Sequence, residues 1–156
     1  MNAPLWTPTQ ERIQHANITR YAKFLQEKHG LHFANYAALH HWSVNESAAF
    51  WQSICDFTGV KFQQPASSVL ENADKFPGAI WFRGAKLNFA ENLLSRNDDK
   101  IAIISYLENG ERQALSYAQL QDNVFRFAHF LKQQGVVKGD RVAGYMPNTA
   151  ETVIAM

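Results

Sequence analysis

The chain has 156 residues, 46% hydrophobic, 13% aromatic and 19% charged, and its 15 Lys and Arg nearly balance 14 Asp and Glu to a formal charge of +1. That length is one compact domain or a domain with an arm, long enough to bury a core. The charge offers nucleic acid no electrostatic footprint, and no apolar run approaches the ~20 residues of a spanning helix, so neither nucleic acid nor membrane is an expected partner.

The opening MNAPLWTPTQERI lacks a basic n-region followed by an apolar stretch, so no secretory signal is read there and a cytoplasmic location is expected. Cys55 is the one cysteine and can form no internal disulfide, which suits a reducing compartment. Between Thr9 and Lys28, Ile13, Ala16, Tyr21, Phe24 and Leu25 recur at helical spacing. With Thr9 as cap and Gly30 as closing residue, they predict one amphipathic helix. A shorter helix opened by Asn35 is expected over Tyr36 to His41, with Trp42 turned inward. Asn45 reads as the cap of the next helix, which runs to Gly59 and places Trp51, Ile54, Cys55 and Thr58 on one face. From Val60 to Gly84 the periodicity fails. Pro65, Ser67, Ser68, Pro77, Gly78 and Gly84 punctuate a segment that reads as a structured loop anchored by Phe76, Ile80, Trp81 and Phe82. Asn88 and Glu91 have capping-box spacing before Leu93 and Leu94, so a short helix follows, ending at Asn97-Asp98-Asp99.

The grammar then changes. Ile101 to Leu107 is strand-like and is joined through Asn109-Gly110 to Arg112 to Leu115, a hairpin signal. Ser116 caps a helix with Leu120, Val124, Phe127, Ala128 and Leu131 facing inward and Gly135 closing it. Arg141 to Met146 reads as a strand, and Pro147 opens a final helix carrying Val153, Ile154 and Met156. Strand, helix, strand, helix is the order of an α/β sheet. The expected fold class is mixed α/β, a mostly helical N-terminal region over 1–96 leading into an incomplete α/β domain over 97–156. The end Ile154-Ala155-Met156 offers neither a C′ glycine nor a basic residue, which makes the chain the expected front of a longer protein, prone to self-associate through its open apolar end.

Candidate chemistry is sparse. A phosphate loop needs glycines clustered before a helix, and the eight glycines are scattered; Gly139 and Gly144 have four residues between them, but Tyr145 follows where a lysine would be needed. His29 and His32 flank Gly30, and His40 and His41 are neighbours that point apart on a helix, so no metal is expected. Cys55, at helical spacing with Trp51 and Thr58, reads as a packed, inert thiol. Trp42, Phe50, Trp51, Trp81 and Phe82 read as core before they read as a stacking or acyl pocket. Arg83 and Lys86 read as solvated cations before they read as contacts to a cofactor phosphate. No catalytic residue is assigned, and cofactor-binding residues remain unknown.

The strings themselves say more. PLWTPTQERIQHANITRYAKFL, LHHWSVNESAAFW and FPGAIWFRGAKLNFAENLL closely resemble the N-terminal region of acetoacetate-CoA ligases. LSYAQLQDNVFRFAHFLKQQGVVKGDRVAGYMPNTAETVIAM resembles the opening of the AMP-binding domain shared by the adenylate-forming acyl-CoA synthetase superfamily. Arg83 departs from the proline expected of the acetoacetate branch. The resemblance implies a truncated AMP-binding domain at the C-terminal end and a two-step reaction of the full-length enzyme with acetoacetate, ATP, Mg and CoA. It places the catalytic motifs after Met156, so the 156 residues are expected to be inactive and to bind none of these tightly. The alternatives are an acetyl- or propionyl-CoA synthetase and a non-catalytic helical interaction module.

Overall fold

The computed structural model describes residues 5–156; Met1–Pro4, the first residues of the segment read for a signal, lie outside the described residues. The fold mixes helices with small sheets, and by internal contacts it divides into two compact units that meet at Asn88 and Phe89.

The first unit opens with α1 (Gln10–His15) and α2 (Asn17–His29). Thr9 caps α1 as expected, its side chain accepting from the Arg12 N–H at 3.3 Å. The single long helix expected from the periodicity is not formed, because Ala16 turns extended (φ −67°, ψ 140°) and breaks it in two. The Ile13 carbonyl left at the break accepts from the Ala16 N–H at 3.2 Å and from Thr19 Oγ1 at 2.6 Å, so the kink leaves it satisfied. Gly30, at φ 68°, closes α2 in the left-handed conformation that only glycine adopts without strain.

Asn35 caps α3 (Tyr36–Asn45) through the Ala38 N–H at 2.9 Å. The reading of Asn45 as the cap of the next helix is corrected here: Asn45 ends α3, with its side-chain amide 2.9 Å from the His41 ring. Glu46 alone separates α3 from α4 (Ser47–Thr58) and serves both. Its N–H donates to Trp42 O at 2.8 Å, and its carbonyl accepts from the Phe50 N–H at 2.9 Å. With so short a junction, backbone does the work expected of a side chain.

The core of this unit is Tyr21, Leu25 and Leu39, packed by Phe24, Leu31, Phe33, Trp42, Phe50, Ile54 and Phe57. Phe50, Ser53, Ile54 and Phe57 form the inward face of α4 at i, i+3, i+4 and i+7. The predicted face of Trp51, Ile54, Cys55 and Thr58 is therefore rotated. Trp51 is exposed and meets Trp81 edge-on at 6.2 Å, and Cys55 is half-buried.

The predicted loop contains a hairpin, β1 (Ser68–Glu71) antiparallel to β2 (Ile80–Arg83), with Leu70 opposite Trp81 and Glu71 opposite Ile80. Four-residue strands are too short to show alternation above the noise of turn residues. Phe76 is not an anchor but stands fully exposed between the strands, while Ile80 and Phe82 are half-buried and Phe82 stacks on Phe62 at 6.0 Å.

The second unit contains α5 (Phe89–Leu93), β3 (Ile101–Tyr106), β4 (Arg112–Ser116), α6 (Tyr117–Gln133) and α7 (Ala150–Ala155). β3 and β4 form the predicted antiparallel hairpin; the Gly110 N–H closes its turn onto Leu107 O at 2.9 Å. Ser116 and Gln119 form a reciprocal capping box at the start of α6, with the Gln119 N–H on Ser116 Oγ at 3.2 Å and the Ser116 N–H on Gln119 Oε1 at 2.9 Å. Leu120 is buried and Val124, Phe127 and Leu131 are half-buried, but Ala128 faces solvent. The sequence divides at 96 and 97, whereas this unit begins earlier. Gln121 Nε2 donates to Leu94 O at 3.0 Å, and Arg96 pairs with Asp98 and stacks over Tyr117 at 4.6 Å, tying the residues around α5 to α6.

Arg141 to Met146 is not a strand. Among the described residues it has no ladder partner, and Val142 and Tyr145 are exposed. A strand is held by neighbours that take its N–H and C=O groups, so residue character alone cannot create one. The sheets observed are two antiparallel pairs, with no parallel pairing among the described residues. α7 starts at Ala150, later than Pro147 suggests; Pro147 instead lends its carbonyl to the Thr149 N–H at 2.8 Å and to Thr152 Oγ1 at 2.5 Å. Among the described residues no helix is long and apolar enough to cross a membrane.

Candidate functional site

Each unit has a sizeable concavity. In the first, α2, α3 and α4 enclose a groove of about 640 Å³ whose floor includes Tyr21, Leu39 and Phe50 and whose lining includes Arg20 and His40. In the second, the β3–β4 hairpin, α6 and α7 border a cleft of about 650 Å³ with Ile103, Leu115 and Phe127 beside Gln113, Arg126 and Glu151. Both fall in the volume range of small-molecule sites, about 300–1,000 Å³.

The residues weighed from sequence are not gathered at either place. Among the described residues no group of three or more His, Cys, Asp or Glu is arranged to hold a metal ion. His40 lines the groove, whereas His41 is engaged with Asn45 on the same helix. Burial, and then the adjacent Asp56 charge, push the Cys55 thiol above its ordinary value, opposite to what a nucleophile needs. Gly30 and Gly59 stand at helix ends and Gly110 in the β3–β4 turn.

Arg83 is committed elsewhere. Its guanidinium pairs with Glu71 across the β1–β2 hairpin, with Nε on Oε2 at 2.6 Å and Nη2 on Oε2 at 2.5 Å, and Ser68 Oγ donates to Glu71 Oε1 at 2.5 Å. No sequence pattern links residues 71 and 83, because the hairpin that joins them is not legible in the residue order. The Arg83 guanidinium, and after it the Ser68 hydroxyl, hold the Glu71 carboxyl below the usual range; Arg96, and then the Lys100 N–H, do the same to Asp98.

A lowered folded pKa makes each carboxylate stabilising above its unfolded value, about 4. That contribution is lost as pH falls through the lower folded value. Both pairs are exposed, so their effect on stability is small. Arg83→Met is expected to raise the Glu71 titration midpoint toward the ordinary carboxylate range while leaving Asp98 unchanged, as read from side-chain carboxyl NMR shifts against pH. An unmoved Glu71 midpoint would refute the assignment.

Comparison with known proteins adds what the geometry leaves open. The family described as acetyl-coenzyme A synthetase N-terminus matches residues 36–93, and the family described as AMP-binding enzyme matches residues 89–156. The acetoacetyl-CoA synthetase of Xenopus tropicalis is 35% identical over 155 residues, covering 97% of this chain and 23% of the relative. The acetoacetyl-coenzyme A synthetase of Rhizobium meliloti (strain 1021) is 35% identical over 153 residues, covering 98% and 23%. The malonamoyl-CoA synthetase vrtB of Penicillium aethiopicum is 36% identical over 148 residues, covering 88% and 20%. Among solved structures, acetoacetyl-CoA synthetase from Streptomyces lividans matches with a TM-score of 0.82 at 40% identity, covering 99% of this chain and 24% of that one. The chain thus spans about a quarter of the length of the relatives it matches. With two adjoining family matches over 36–156 and nearly its whole length alignable on acetoacetyl-CoA synthetases, the chain is similar throughout to the N-terminal part of acetoacetyl-CoA synthetases.

Proposed function

We propose that the full-length protein is an AMP-forming acid-thiol ligase for acetoacetate. The carboxylate attacks the α-phosphorus of ATP, giving acetoacetyl-adenylate and pyrophosphate; the CoA thiolate then attacks the acyl carbon and expels AMP. ATP, Mg and CoA are its co-substrates and metal in this reading, and a cytoplasmic role in lipid and ketone-body utilisation goes with them. The observation that supports it best is the 40% identity and 0.82 TM-score over 99% of the chain with an acetoacetyl-CoA synthetase. Residues 1–96 are read as the N-terminal region and 97–156 as the beginning of the AMP-binding domain. The family matches, which end at 93 and begin at 89, support a change of region close to that point.

The similarity to a malonamoyl-CoA synthetase widens the substrate class. Malonamate and acetoacetate have the same skeleton, a carboxylate, one methylene and a C3 carbonyl, and differ by an amino group in place of a methyl. The class proposed is therefore short 3-oxo acids. The chemistry is assigned to residues that follow Met156 in the full-length protein, and residues 1–156 alone are catalytically silent.

The test is acid-dependent pyrophosphate release with ATP, Mg and CoA, run on the full-length protein and on residues 1–156. Acetoacetate is expected to lead, malonamate to follow, and acetate and propionate to trail, with no release by residues 1–156. Preference for acetate or propionate would move the protein to another branch. Absence of turnover with every acid would favour a helical interaction module, and turnover by residues 1–156 would overturn their silence.

A further inference from the structure

The groove of the first unit lies between α2, α3 and α4. Its floor is apolar: Tyr21 and Leu39 are 6% and 7% exposed, and Phe50, Ile54 and Phe57 flank them. Its lining is asymmetric in charge. Arg20 and His40 belong to it, and no carboxylate occurs among the described residues that form it. Arg20 is exposed and donates from Nη1 to Asn17 Oδ1 at 3.3 Å, a long bond that occupies one of the five N–H donors of a guanidinium. Asn17, Ser43 and Thr58 add neutral polar groups to the lining.

An apolar trough of about 640 Å³ with an arginine and a histidine in its lining complements a ligand with a tail to desolvate and an anion to pair. Nucleic acid and polyphosphates do not suit it, because they would leave the aromatic and aliphatic floor facing charge. An uncharged lipid would leave Arg20 unused.

We propose that this groove binds a medium-chain carboxylate, with the alkyl tail along Leu39, Phe50, Ile54 and Phe57 and the carboxylate paired with Arg20. His40 is a second donor for the same anion.

The test is a titration of the 156-residue chain with decanoate, below its micelle concentration, and with decanol as the uncharged counterpart, followed by amide and methyl NMR. The expected result is saturable shifts confined to α2, α3 and α4. Arg20→Gln changes an exposed residue, so folding is retained, and it is expected to weaken decanoate on the order of tenfold while leaving decanol unchanged. Ile18→Glu, which adds a negative charge at an exposed position of the groove, is expected to weaken decanoate in the same direction. Shifts that never saturate, shifts spread equally over both units, or a decanoate affinity indifferent to both substitutions would each overturn the proposal.

Discussion

Leu25→Ala is expected to destabilise the first unit by about 2–5 kcal/mol, the range for removing a fully buried leucine from a core. Leu25 is completely shielded and is one of three buried residues that hold α2 against its neighbours. The ring contacts around it are already made: Tyr21 with Phe57 at 5.2 Å and Phe24 with Phe57 at 5.5 Å. Closing a cavity there would mean moving several aromatic side chains at once, so little of the loss is recoverable by relaxation. Against the roughly 5–15 kcal/mol typical of a whole domain, that is a large share. Urea unfolding followed by tryptophan fluorescence, in a chain whose other three tryptophans are replaced by phenylalanine, reads it, since Trp42 packs on the same core and meets Phe50 edge-on at 6.0 Å. Leu25→Met keeps the volume and is expected to cost less than about 1.5 kcal/mol. A Leu25→Ala loss below about 1 kcal/mol would show that α2 is not held by this contact.

The second large effect concerns a buried hydroxyl pair. Tyr21 Oη and Ser53 Oγ lie 2.6 Å apart, and Ser53 Oγ also donates to Phe50 O at 2.7 Å. A serine has one proton, so with Ser53 donating to the carbonyl the tyrosine must be the donor between the two. Burial, offset in part by that bond, pushes the Tyr21 phenol above its ordinary value, and it stays neutral and able to donate. Ser53→Ala strips the phenol of its acceptor inside the core and is expected to cost about 1–3 kcal/mol. Tyr21→Phe is expected to cost less, because Ser53 keeps its own bond to Phe50 O. The double variant is expected to cost less than the sum of the singles, since no orphaned hydroxyl remains. Chemical denaturation of the four proteins in the cycle measures the coupling, and additive costs would mean the hydroxyls act independently.

The same serine shows where sequence reading stops. Ser53 looks like a polar residue on an amphipathic helix, and the Phe50, Ile54 and Phe57 spacing is visible. The register of the helix against α2 is not. Trp51 and Cys55 satisfy helical periodicity nearly as well, and the choice between two overlapping apolar faces depends on what packs opposite. The groove between α2, α3 and α4 inherits the same dependence, because its floor consists of residues whose inward direction periodicity does not settle. The Glu71 and Arg83 pair is invisible in the sequence for a related reason: two charges twelve positions apart become partners only after a hairpin brings them together.

Local signals are reliable where the stabilising partner lies within a few residues. Thr9, Asn35 and Ser116 cap helices by bonds to N–H groups three positions on, and Gly30 and Gly59 close helices by adopting positive φ, so the chain near each residue contains all that the outcome needs. The β3–β4 hairpin is legible because Asn109-Gly110 supplies the turn between two runs close enough to find each other. The similarity to acetoacetyl-CoA synthetases is legible as well, being a property of residue order. Tertiary structure alone decided the break at Ala16, the rotation of α4, the pairing of β1 with β2 and the absence of a ladder partner for Arg141 to Met146 among the described residues. In each case the free energy resides in contacts between residues distant along the chain, or in their absence. Local periodicity can propose such contacts, but only packing and available hydrogen-bond partners select among them.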